Sequence, residues 1–277
     1  MDRRTLFIGL LTACFFFLLS GCVNNTDGPA PEKITAKEVL DKSFKASGDA
    51  SSYSYKMTMR ASMPGGVPGG ASMDVMSLSG SVDKANKRMR LATVMNPLQA
   101  SQNSETYIIG NTYYAKTPSG EWMKQETANA DLWQKESVQD MQANLMNSSR
   151  VSFLPEENLD GVDCYVLNIT PEKEKLPELL GKSSNLDDDT LGNIGSASIK
   201  EWVDKDSFLM KKVLFSTDME NSGNVIRMET EITFSDYGNV RAIELPAEAR
   251  NAKAMETQSA KKPSEEDLRK LEEDAGA

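Results

Sequence analysis

Residues 53–63 read "YSYKMTMRASM". Tyr53, Tyr55, Met57, Met59, Ala61 and Met63 alternate with Ser54, Lys56, Thr58, Arg60 and Ser62 over all 11 positions. Successive side chains of a strand point to opposite faces. The stretch therefore predicts a strand with one apolar, buried face and one wet face, the pattern of an antiparallel sheet. Working outward, Pro64-Gly65-Gly66-Val67-Pro68-Gly69-Gly70 reads as a hairpin tip. Met73–Val82 then reads as the returning strand and Arg88–Met95 as the next. Gly110-Asn111 joins strands at Thr106–Ile109 and Tyr113–Lys116, and Ser119-Gly120 turns into Glu121–Lys124. Upstream, Thr35 and Glu38 form a capping-box pattern ahead of Val39, Leu40 and Phe44, which predicts a helix over Thr35–Ser47. Asp131–Met146 has helical spacing, with Leu132, Val138, Met141, Leu145 and Met146 near one face. Val151–Leu154, Val162–Ile169, Ile199–Val203, Leu209–Ser216 and Val225–Phe234 read as further strands. Glu172–Ile194 is helix-like but broken by Pro177, Gly181 and the Asp187-Asp188-Asp189 run. The class is α+β, dominated by a meander.

The N-terminus carries a different signal. Arg3-Arg4 precedes an apolar run, Leu6–Leu19. That run is too short for a comfortable bilayer span but fits a secretory signal. Leu19-Ser20-Gly21-Cys22 resembles a prokaryotic lipobox. The resemblance implies cleavage before Cys22, a diacylglyceryl group on its sulfur with further acylation such as palmitate, and retention on the extracytoplasmic side of the cell membrane. Residues 1–21 are then a removed signal peptide, and 22–34, with Gly28-Pro29-Ala30-Pro31, a lipid anchor and flexible spacer. An uncleaved anchor helix and a chance cysteine are the competing readings.

Composition excludes several classes. The formal charge is −10, and removing Asp2, Arg3 and Arg4 takes it to −11. Such a surface repels nucleic acid. The chain has no histidine, which removes Ser-His-Asp hydrolysis, Cys-His pairs and His-ligated metals. With Cys14 in the signal and Cys22 acylated, Cys164 stands alone in an apolar run and reads as a small buried hydrophobe. The Asp187–Asp189 run lacks the spaced ligands of a calcium loop. We expect no metal, no cofactor and no enzyme activity.

Local phrases carry a second resemblance: Ser51-Ser52-Tyr53-Ser54-Tyr55, Tyr113-Tyr114-Ala115-Lys116 with Gly120-Glu121-Trp122, Gly161-Val162-Asp163-Cys164-Tyr165-Val166-Leu167, and Trp202-Val203-Asp204 before Leu209-Met210-Lys211-Lys212. In this order, behind a lipobox, they resemble the LolA-like superfamily of lipoprotein carriers, closest to its LppX/LprG-type members. The resemblance covers about residues 35–250. It implies an incomplete, strongly curved antiparallel half-barrel with helices packed on its concave side, and binding of a lipid, lipidated molecule or other amphiphile between sheet and helices. It leaves 251–277 as a charged, loose tail.

The residues themselves support a cavity in part. The chain has 15 Met, several of them in the first three strands, and methionine suits surfaces that adapt to variable apolar ligands. A plain core is the competing reading of that stripe. The candidate cavity residues are Tyr53, Tyr55, Met57, Met59, Met89, Trp122 and Met141. Trp122, Trp133 and Trp202 suit either a rim or a core. The alternative function is a surface protein-interaction or sensor module with a filled core, contacting partners through its acidic surface and the Gly65–Gly70 loop.

Overall fold

A computed structural model describes residues 33–62, 72–95, 102–117, 119–126, 133, 145–176, 194–221 and 224–255. The chain divides into two units, Met1–Ile34 and Thr35–Ala277. The elements below belong to the second.

Helix α1 spans Ala36–Asp49, and its start is the capping box that the sequence predicts. Thr35 Oγ1 accepts from the Glu38 amide at 3.2 Å, and the Thr35 amide donates to Glu38 Oε2 at 2.7 Å. These bonds satisfy amides that the first helical turn leaves without partners. The helix buries Ala36, Val39, Leu40 and Ser43.

The rest is mostly β. The strands are β1 (Ser52–Ser62), β2 (Ser72–Asp83), β3 (Arg88–Met95), β4 (Gln102–Ile109), β5 (Thr112–Lys116), β6 (Trp122–Glu126), β7 (Ser149–Leu159), β8 (Val162–Pro171), β9 (Ile194–Asp204), β10 (Met210–Asn221), β11 (Asn224–Ser235) and β12 (Lys253–Ala254). They form one curved, unclosed sheet of 12 strands in the order β12-β6-β5-β4-β3-β2-β1-β11-β10-β9-β8-β7. Two meanders, β1–β6 and β7–β11, are welded by antiparallel pairing of β1 with β11. Only the short β12, which adds to β6, is parallel. The β4–β5 loop is Gly110-Asn111 with Gly110 at φ +60°, as a II′ hairpin turn requires of its first central residue.

Several strands run further than local pattern predicts. The clearest case is β7, which continues from Leu154 through Pro155 to Leu159. Proline donates no ladder hydrogen bond, so the pattern reads as an end at Leu154. Here β7 is the outermost strand, and the register shifts between Leu154 and Glu157, so Pro155 lies where no donor is needed. Of the helix predicted over Asp131–Met146, only Trp133, Leu145 and Met146 fall within the described residues, and 145–147 are helical. Most of the ambiguous Glu172–Ile194 stretch lies outside them; a 3-10 turn occupies Lys173–Lys175.

Candidate ligand-binding face

The site is built from β1 outward. Cross-strand partners share a face, so register carries one surface across the sheet. Met57 pairs with Leu78 on one side and Ile232 on the other; Ile232 pairs with Val213, and Val213 with Glu201. Tyr53 pairs with Val82, which pairs with Met89. Tyr53, Tyr55, Met57, Met59 and Met89 therefore lie together on one face. It is also the face on which α1 sits, because Ser43 Oγ of the helix donates to Glu201 Oε1 at 2.6 Å. We call it the helix face.

At one end of this face aromatic rings gather. Tyr53 lies 6.2 Å from Tyr55, 6.2 Å from Phe234 and 6.1 Å from Tyr237, centroid to centroid. The Tyr55 ring lies on Gly80 of β2, its cross-strand partner, where a Cβ would collide with it. Gly80 is thus required by close approach rather than by backbone angle. Burial raises the pKa of both Tyr53 and Tyr55, so both stay neutral phenols. The other end of the face is methionine-rich. Met59, Met76, Met73 and Met95 follow there, and Met73 and Met95 are 45% and 49% exposed.

Beneath α1 the face becomes fully dry. Val39, Leu40, Leu167, Ile169 and Val203 have no solvent exposure, and Glu201 keeps 2%. Ser43 is the carboxyl's hydrogen-bond partner. Burial pushes the Glu201 pKa up to about 7, against a smaller lowering by the Ser43 hydroxyl. A second polar tie joins helix to sheet: the Met210 amide donates to Ser47 Oγ at 3.0 Å, and the Tyr237 hydroxyl donates to the Met210 carbonyl at 2.7 Å. Glu201 and its partners were not singled out in the sequence. The signal was there: Ile199, Glu201 and Val203 alternate, which puts a carboxyl at an inward position.

The opposite face has its own cores. Trp122 does not join the tyrosine–methionine row. It lies on this second face, 5.8 Å from the Tyr107 ring, in a cluster with Ile243, Ala249 and Ala252. The segment after β11 crosses the sheet there as a strap and ends in β12. Beside it a cleft of about 870 Å³ opens, lined by Ser54, Ser81, Arg90, Tyr107, Asn239 and Arg241 among others. Its Arg90 is held by Glu105 at 2.9 Å. Trp202 also faces this side, packed with Cys164 and Val166. Cys164 is fully buried and free, and burial raises its thiol pKa. The Trp133 indole N–H donates to the Gly110 carbonyl at 3.0 Å. Met141 and Cys22 lie outside the described residues. Among the described residues no cluster of three or more His, Cys, Asp or Glu side chains could hold a metal, and no helix is long and apolar enough to cross a membrane.

A family model described as a family of unknown function, DUF6612, matches residues 35–254. The chain belongs to this family. The DUF6612 span begins at Thr35, the N-cap of α1, and closes with Ala254, the last residue of β12. No curated protein matches the chain. Similar solved structures include LprF from Mycobacterium bovis, at 15% identity and a TM-score of 0.48 over 79% of this chain and 98% of that one. The lipoprotein LppX of Mycobacterium tuberculosis is similar at 10% identity and a TM-score of 0.45, over 76% and 98%. A LolA superfamily protein from Nitrosomonas europaea is similar at 15% identity and a TM-score of 0.27, over 76% and 96%. LppX and the LolA superfamily are also what the sequence phrases resemble.

Proposed function

We propose that this chain is a lipoprotein of the cell envelope, anchored in the cell membrane by acyl groups on Cys22. It takes a lipid, a lipidated molecule or another amphiphile into an apolar cavity on the helix face and works as a carrier without catalysis. In this reading the curved sheet is a half-barrel, helices pack on its concave side, and Tyr53, Tyr55, Met57, Met59 and Met89 line the cavity.

One observation carries the reading. The helix face bears long apolar rows whose large side chains are only half-buried. Of the four exposed large hydrophobics among the described residues, Met73, Met95 and Phe153 belong to this face by register. Met73 and Met95, on the neighbouring strands β2 and β3, form one exposed apolar end of this face, and an apolar patch of this kind marks a binding site more often than singly scattered residues do. Methionine fits chains of varied shape, and each acyl CH₂ removed from water contributes about 0.8 kcal/mol, so affinity needs no specific polar motif.

The test is native mass spectrometry of the mature chain purified gently from a membrane-producing host. The expected result is a discrete added mass that organic extraction releases as lipid. It disappears in the double variant Met57→Asp, Met59→Asp, while circular dichroism still reports the sheet. A bare polypeptide mass that stays unchanged after incubation with membrane lipids would reject the carrier in favour of an interaction module.

A further inference from the structure

Helix α1 is fastened to the sheet by polar ties in its C-terminal half. Ser43 Oγ meets Glu201, Ser47 Oγ meets the Met210 amide, and the Gly48 carbonyl accepts from Lys84 Nζ at 2.8 Å. Of these partners only Glu201 is an acid, and it is sealed under the helix. A carboxylate has room for several donors, yet among the described residues Ser43 supplies the one hydrogen bond this carboxyl makes.

The neighbours do not compensate a charge there. Across the sheet Glu201 faces Val213 of β10 and Leu167 of β8. On α1, Lys42 lies over the Phe208 ring at 4.7 Å and Lys45 pairs with Asp41. Lys212 of β10 is on the opposite face with Glu231, and Lys200 pairs with Glu157. The titratable groups that share the helix face are the phenols Tyr237, Tyr53 and Tyr165 and, at the C-terminal end of α1, Lys84, whose Nζ lies over the Tyr53 ring at 5.4 Å. Burial raises the Tyr237 pKa and the Glu201 charge adds to that, so Tyr237 stays neutral too. Ionised, Glu201 would be an uncompensated buried charge at the helix–sheet junction, and such a charge is strongly unfavourable.

We propose that Glu201 is a proton-dependent latch for α1: the neutral carboxyl seats the helix on the sheet, and its ionisation lifts the helix and opens that side of the apolar face. Burial places this change close to neutral pH. Resting on the carrier reading above, the latch makes retention of an amphiphile tighter in mildly acidic surroundings and release faster in mildly alkaline ones.

Hydrogen exchange of the full mature chain without ligand, read by mass spectrometry on peptides covering residues 35–50, tests the latch directly. After correction for the intrinsic pH dependence of exchange, α1 amides should exchange at least ten-fold faster at pH 8.5 than at pH 5.5. Amides of β1–β3 should not change. In Glu201→Gln the rise should vanish. Ser43→Ala, which removes the hydroxyl that favours the charged form, should move the rise to higher pH and serves if Glu201→Gln does not fold. Equal protection of α1 at both pH values, or the same rise in Glu201→Gln, overturns the latch. A second arm follows release of a fluorescent long-chain acyl probe, expected to be about ten-fold faster at pH 8.5 in the wild type only. A chain that binds no probe at any pH overturns the carrier reading, while the exchange data still decide the latch.

Discussion

Glu201 is a carboxyl whose nearest neighbours on its face, Leu167, Ile199, Val203 and Val213, are all apolar, and it ties global stability to pH. Its folded-state pKa is raised to about 7 from an ordinary 4.5. The folded chain therefore holds this proton more tightly than the unfolded chain does. No penalty exists below pH 4.5; it grows as pH rises from there through 7 and is constant above. Glu201→Gln keeps the shape and a hydrogen-bonding amide without the charge. Urea denaturation should find it more stable than the wild type by about 1–3 kcal/mol at pH 8 and nearly equal to it at pH 4. A gain of the same size at both pH values would mean that the charge is not what costs stability. Cys164, by contrast, is where the sequence reading and the structure agree: a free, fully buried thiol.

Among elements, β1 decides the site. Its alternation alone puts Tyr53, Tyr55, Met57 and Met59 on one face, and pairing with β2 and β11 continues that face in both directions. The fit of Tyr55 on Gly80 is the tightest constraint on this row. Gly80→Ala should force the ring off its strand and cost about 1–3 kcal/mol, an overpacking effect. In a Tyr55→Ala background the same change should cost far less, and a double-mutant cycle by urea denaturation reads the coupling. A cycle with no coupling would place the ring elsewhere. Local pattern located α1, whose Thr35–Glu38 box is present as read, but it stopped β7 short. The proline that suggests an end is tolerated only because β7 is an edge, and a strand's place in the sheet order is not written in its own residues.

At the scale of the whole molecule, the sheet has two working faces with separate duties. The helix face carries the proposed cavity. The opposite face carries structural cores, including the one in which the strap after β11 holds Trp122, 7% exposed, against Tyr107. Trp122→Ala should therefore lower stability by about 3–5 kcal/mol by opening a cavity in that core. Ligand carried per folded molecule, read by native mass spectrometry, should stay at the wild-type level. Loss of ligand from a still-folded Trp122→Ala chain would return this residue to the binding site.

By itself the sequence determined the local elements and the two-faced character of the strands. Period-2 alternation and capping chemistry act between near neighbours and need no fold to be read. It also showed which side chains share a face within a strand, hence the tyrosine–methionine row. Only the tertiary structure decided which strand pairs join the two meanders, and which face each tryptophan serves. It alone put Glu201 beneath α1, 158 residues from its Ser43 partner. Such choices depend on register between distant segments and on what crosses each face. An alternating strand is compatible with either side of the sheet until a helix or a strap covers one of them.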